Sequence, residues 1–147
     1  MYQRILVATD DSKLSRKAVK AALELAASVQ AQLVALHVVP RYPTAFFEGA
    51  VALGADDVAR VERQWADKGR AVVYAVARQA EAAGVKARAL VVQSDAVADA
   101  ILAAARKHKA DLIVMASHGR RGLSRVLLGS ETQHVLTHGT TPVLVLR

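Results

Sequence analysis

The chain has 147 residues, 20 Lys and Arg against 13 Asp and Glu, a formal charge of +7 and no Cys. That length suffices for one domain that folds around its own core without staples, and the absence of Cys excludes a disulfide framework, thiol catalysis and thiolate metal sites. No run approaches the roughly 18 consecutive apolar residues of a membrane span, and Met1-Tyr-Gln-Arg-Ile-Leu-Val7 enters a strand pattern too early for a signal peptide, so a cytoplasmic protein is expected.

The first element is the apolar run Ile5-Leu-Val-Ala8, stopped by Thr9-Asp-Asp-Ser12. Leu14, Ala18, Ala22, Leu25 and Val29 then recur at helical spacing with Lys and Arg between them, which predicts a strand, a turn and an amphipathic helix. Gln32 to Val39 reads as a second strand ended by Pro40. The stretch from Pro40 to about Ala55 holds two prolines, two glycines and the only two phenylalanines, Phe46 and Phe47. Such a loop either tucks its aromatics against the body or a partner, or serves as a lid. A long Ala-rich helix over roughly Asp56 to Ala83 follows, then a third strand over Val85 to Val92 and a helix over Ala96 to His108. Leu112 to Ala116 is a fourth strand, Ser130 to His138 a last helix with Gly139 as its C′ residue, and Pro142 to Leu146 a fifth strand.

Five strands alternating with helices, several apolar at every position, predict a single doubly wound α/β domain over residues 1–147: a five-stranded parallel sheet with helices on both faces. In such sheets a ligand sits beyond the carboxyl ends of the strands where strand order reverses, and the turns after Ala8, Val39 and Ala116 all lie at those ends.

The segment from Ala116 to Ser130 carries Gly119, Gly122 and Gly129 with Arg120, Arg121 and Arg125, between the apolar run Asp111-Leu-Ile-Val-Met115 and a helix. It reads as a phosphate cradle, with Ser130 as the N-cap, so that unpaired N–H groups and a helix dipole face one anion. Arg120 and Arg121 add charge there, unless they belong to a solvated basic turn. Asp10 serves equally as a ligand contact or as a cap of the first helix, and Asp11 and Ser12 read as caps rather than ligand contacts. His118 reads as a loop histidine rather than a base, and His37, His108, His134 and His138 show no metal-ligand spacing. The Lys and Arg residues are dispersed along helical segments, and the six aromatics, Tyr2, Tyr42, Phe46, Phe47, Trp65 and Tyr74, form no stacking platform, so nucleic acid is not the expected partner. The Walker loop, the G-x-G-x-x-G turn, the G-x-S-x-G elbow and H-E-x-x-H are all absent, which favours binding over turnover.

Ile5-Leu-Val-Ala-Thr-Asp-Asp-Ser12, Leu36-His-Val-Val39 and the tail from Ser117 to Arg147 together resemble the universal stress protein family over essentially the whole chain. Gly119, nine residues, Gly129 and Ser130 keep the register of its ATP-binding branch, with Ala116 where that branch has its first glycine. The resemblance implies a Rossmann-like, adenine nucleotide alpha-hydrolase-like fold and a regulatory ATP-binding homodimer acting in stress adaptation. ADP or AMP are alternative ligands, Mg²⁺ accompanies ATP, and an unidentified protein partner reads the bound state. It implies that Ala8, Asp10 and Val38 line the adenine and ribose, that Ala116, His118, Gly119, Arg120, Arg121 and Gly122 wrap the ribose and phosphates, and that Gly129, Ser130, Glu131 and Thr132 meet the phosphates. Ala116 is compatible with this if its φ is negative, and Glu131 if its carboxylate turns away from the phosphates. Otherwise the chain is a dimeric interaction scaffold without nucleotide; a third alternative is a slow ATPase or autokinase that uses Ser124, Ser130 or a nearby Thr as acceptor. The apolar strand from Pro142 to Leu146 falls at a sheet edge, and the resemblance implies that it pairs across a two-fold axis.

Overall fold

Alternation of side chains across an extended backbone sends Leu6 of β1 (Arg4–Ala8) to one face of the sheet and Ile5 and Val7 to the other, and all three are fully buried. That is the signature of a strand covered on both sides. The computed structural model of the chain describes residues 1–43, 54–119 and 128–147. After β1 come α1 (Lys13–Val29), β2 (Gln32–Val39), α2 (Ala55–Ala82), β3 (Ala87–Gln93), α3 (Val97–Lys107), β4 (Leu112–Ala116), α4 (Ser130–His138) and β5 (Val143–Leu146). All neighbouring strands are parallel, in the order β3-β2-β1-β4-β5. The order reverses between β1 and β4, which leaves a gap in helix cover beyond their carboxyl ends.

Two cores result. Ile5, Val7, Leu33, Ala35, Leu112 and Val114 pack under Ala18, Ala22 and Ala26 of α1 and Val73, Val76 and Ala80 of α2. Leu6, Val34, Leu36, Ile113 and Met115 pack under Ile101, Leu102 and Ala105 of α3 and Val135 of α4. Small residues on the helix stripes let the helices approach the sheet closely, while the branched strand residues fill the layer between.

Several expectations are corrected in detail. β3 starts at Ala87 because Val85, though buried, donates its N–H to Ala80 O at 2.8 Å and closes the end of α2. No position of β3 is fully buried, because it is an edge strand. Ser130 is the first helical residue of α4 and not its N-cap; Gly129 holds that place, with extended φ and ψ and no side-chain cap. Gly139 is the C-cap of α4, one position before the C′ place expected of it, and is extended, with φ −94°. What this position requires is space, since a Cβ there would stand 2.6 Å from Leu102 Cδ2 and 2.8 Å from Val135 O. Phe46 and Phe47 of the loop after β2 lie outside the described residues.

Candidate functional site

The turn after β1 is built by short polar side chains that bond to their own backbone. Thr9 Oγ1 accepts the Asp11 N–H at 3.1 Å, Asp10 Oδ1 accepts the Ser12 N–H at 3.0 Å, and Ser12 caps α1 by accepting the Ser15 N–H at 3.2 Å. Asp11 takes the left-handed conformation, φ 62°, and pairs with Arg16. Ser12 is therefore a cap, as the sequence reading had it, and Asp11 is instead an outward-facing ion-pair partner. Asp10 alone of the three lines the crevice above the sheet. His37 of β2 donates from Nδ1 to Thr9 O at 2.8 Å, a bond that assigns the ring proton to Nδ1 because a carbonyl only accepts.

After β4 the chain is drawn across the sheet end by α4. Thr132, 2% exposed, donates its hydroxyl to Ala116 O at 2.9 Å, and Gly129 donates its N–H to Ser117 O at 2.7 Å. Both glycines of the spacing motif stand where a side chain would be crowded. A Cβ on Gly119 would lie 2.5 Å from Asp10 Oδ2, and one on Gly129 would lie 3.1 Å from Ser117 O and 3.3 Å from His118 Cα. Ala116 ends β4, and positive φ among the described non-glycine residues is confined to Asp11, Gln30 and Lys109, so its methyl group imposes no strain. Ser117 Oγ lies 3.2 Å from His118 Nδ1, a contact between chain neighbours.

These elements enclose a crevice of about 550 Å³. Ala8, Asp10, Val38, Ala116, His118, Gly119, Gly129, Ser130, Glu131 and Thr132 all line it, so every described member of the sequence-predicted set comes to one place. Arg120, Arg121 and Gly122 lie outside the described residues. Leu36, Val38, Val97, Ile101 and Met115 form its apolar lining, and the first turn of α4, whose leading N–H groups have no partner within the helix, also borders it.

Three carboxylates line the crevice, and each accepts a backbone N–H. Asp10 takes that of Ser12; Asp95 Oδ1 takes that of Arg41 at 2.9 Å and holds the chain leaving β2; Glu131 Oε2 takes that of Ala98 at 2.8 Å. The last bond matters most. α3 starts at Val97, its N-cap Ala96 has no side-chain cap of its own, and Glu131 of the neighbouring helix supplies one, so its carboxylate is committed away from the α4 N-terminus. Ser94 and Asp95 were missed by sequence reasoning, although the signal was present: a polar pair directly after a strand, at the same sheet end as the other turns. Among the described residues no group of three His, Asp or Glu side chains is placed to hold a metal.

Both the sequence and the fold have counterparts among known proteins. The universal stress protein family matches residues 1–147. Universal stress protein MJ0531 of Methanocaldococcus jannaschii is 34% identical over 147 residues, which span 100% of this chain and 83% of that protein. Universal stress protein UspA from Lactobacillus plantarum superposes with a TM-score of 0.83 at 25% identity, covering 99% of this chain and 98% of that one. A universal stress protein solved in complex with cAMP superposes with a TM-score of 0.71 at 28% identity, covering 99% and 97%. With a match along its whole length and a relative of this similarity, the chain belongs to the universal stress protein family.

Proposed function

We propose that the crevice binds an adenine nucleotide, with ATP and its Mg²⁺ as the working ligand, and that the protein acts through it as a regulatory homodimer in stress adaptation. The observation that carries this reading is the pair Gly119 and Gly129, which stand where any Cβ would press on Asp10 or on the Ser117–His118 backbone, at the rim of a crevice at the strand-order reversal. In this reading the adenine lies on the apolar lining that includes Val38 and Met115, beside Ala8. The ribose meets Asp10 and the backbone from Ala116 through His118 to Gly119. The phosphates meet the N–H groups of Ser130, Glu131 and Thr132 and the Ser130 hydroxyl, with Arg120, Arg121 and Gly122 beside them. A crevice of about 550 Å³ suits a ligand of this size. The relative bound to cAMP supports the adenine nucleotide class.

Two observations favour this reading over an empty scaffold. Ala116 has no strained backbone, and Glu131 spends its carboxylate on α3. Phosphates and water would supply most of a Mg²⁺ ion's ligands, since the described part of the chain offers no ready acidic trio.

The test is to denature fresh protein, identify any released nucleotide by chromatography, and titrate the stripped protein with Mg-ATP by calorimetry. Micromolar affinity, about 8 kcal/mol, is expected. It should vanish in a Gly129→Leu variant whose circular dichroism matches the parent. Absence of released nucleotide together with no heat up to millimolar Mg-ATP or cAMP would overturn the proposal in favour of the scaffold.

A further inference from the structure

At the end of the sheet opposite the crevice, where the strands begin, a second cavity of about 780 Å³ opens between the turns α2–β3 and α3–β4. Arg4, Lys86, Arg88, Lys107 and Lys109 line it, and Glu81 is the single carboxylate among its lining residues. None of these five cations is in an ion pair among the described residues. Arg4 is fixed: its Nη1 donates to His108 O at 2.7 Å, which pins the guanidinium to the cavity wall. The nearby carboxylate of Asp111 is occupied by the N–H groups of Gln3 and Arg4 and does not line the cavity.

Cations often gather where helices end, because each C-terminus carries about half a negative charge. That accounts for only part of this cluster. Even if α1, α2 and α3 all presented such ends here, they and Glu81 together would offset about half of the five positive charges. The excess is concentrated rather than spread around the rim. Burial first, and then Arg88, Lys107 and Arg4, hold the His108 pKa below its ordinary value, so three of the charges act on one imidazole. The cavity is of small-molecule size, and its lining holds the His108 imidazole but no Phe, Tyr or Trp on which a base could stack.

We propose that this cavity is a second anion site that takes a compact polyphosphate chain, distinct from the nucleotide crevice at the other end of the sheet. Lys86, Arg88, Lys107 and Lys109 are exposed and can move onto the ligand, while Arg4 provides a fixed contact at the base.

The probe is inorganic tripolyphosphate, titrated at low salt by calorimetry while the pH titration of the His108 imidazole is followed by NMR. Saturation should raise the His108 pKa, because the anion cancels the surrounding positive field, and affinity should fall steeply with added salt. The double reversal Arg88→Glu with Lys107→Glu, at exposed positions that leave the cores intact, should weaken binding by about tenfold or more. Gly129→Leu should leave it unchanged, which separates this site from the nucleotide crevice. An ATP-induced shift of His108 that persists in Gly129→Leu would show that the chain is also accepted on a nucleoside and would support the site. The proposal is overturned if saturating tripolyphosphate leaves His108 unmoved, if the double reversal binds as well as the parent, or if a short RNA shifts His108 at lower concentration than tripolyphosphate.

Discussion

Replacing Glu131 with Ala removes the one side-chain bond that caps α3 and tests whether this carboxylate belongs to the fold or to the ligand. The bond is 2.8 Å long and reaches the second residue of a helix whose own N-cap, Ala96, offers no side-chain acceptor. Loss of such a cap costs about 1 kcal/mol, and the interaction of a carboxylate with the helix dipole adds about 0.3 to 1 kcal/mol. For a chain of this length each kcal/mol lowers Tm by about 2 to 4 °C, so Glu131→Ala should melt roughly 3 to 8 °C below the parent. Glu131→Gln keeps an acceptor oxygen and loses only the charge, and should fall between the two. Thermal unfolding followed by circular dichroism measures all three. Calorimetry with Mg-ATP provides the second half: a carboxylate committed to Ala98 should alter nucleotide affinity by less than about 1 kcal/mol when removed, the scale of a screened surface charge. Equal Tm values for the parent and Glu131→Ala, or a tenfold gain in ATP affinity in that variant, would refute the reasoning, because the carboxylate would then be facing the phosphates.

Thr132→Val keeps the shape of a buried side chain but leaves Ala116 O and Ser117 O without their hydroxyl donor; a loss of about 1 to 3 kcal/mol is expected in urea unfolding. Leu144, 40% exposed on the edge strand β5, lies in the expected dimer surface, so Leu144→Glu should convert a dimer to monomer by light scattering, and an unaltered dimer would exclude this edge. His108 has a depressed pKa in the folded protein, chiefly through burial, so the unfolded chain takes up its proton first as pH falls. Its contribution to stability is present above about 6.5, the unfolded value, and is lost as pH drops through the folded value; His108→Gln should flatten the Tm profile across that window. Glu62, lowered by its bond from the Tyr42 N–H and then by Gln93, behaves likewise further into acid, its contribution disappearing as pH falls below the ordinary carboxylate range.

The strands and helices were legible because each is announced locally. The run from Leu112 to Ala116 is apolar throughout and is β4 residue for residue, and Pro40 marks the end of β2 because a proline lacks the N–H that a central strand needs. The crevice followed from topology: parallel strands put Asp10, Val38 and Ala116 at one end of the sheet whatever the details of packing. Glycine spacing located the loop but not the reason for it, which is Asp10 behind Gly119 and the Ser117 carbonyl behind Gly129. The rest depended on contacts between residues distant in sequence. Glu131 looked like a rival of phosphate until a partner 33 residues away claimed its carboxylate, and Asp95 acquired its role from Arg41, 54 residues earlier. The basic residues seemed dispersed for the same reason: Arg4, Lys86, Arg88, Lys107 and Lys109 come from three separate turns and strand starts. Local pattern sets which residues are strand, helix or turn, because those preferences act over a few residues. Which charges and carboxylates meet is set by how the parallel sheet stacks its ends, and only the folded chain decides that.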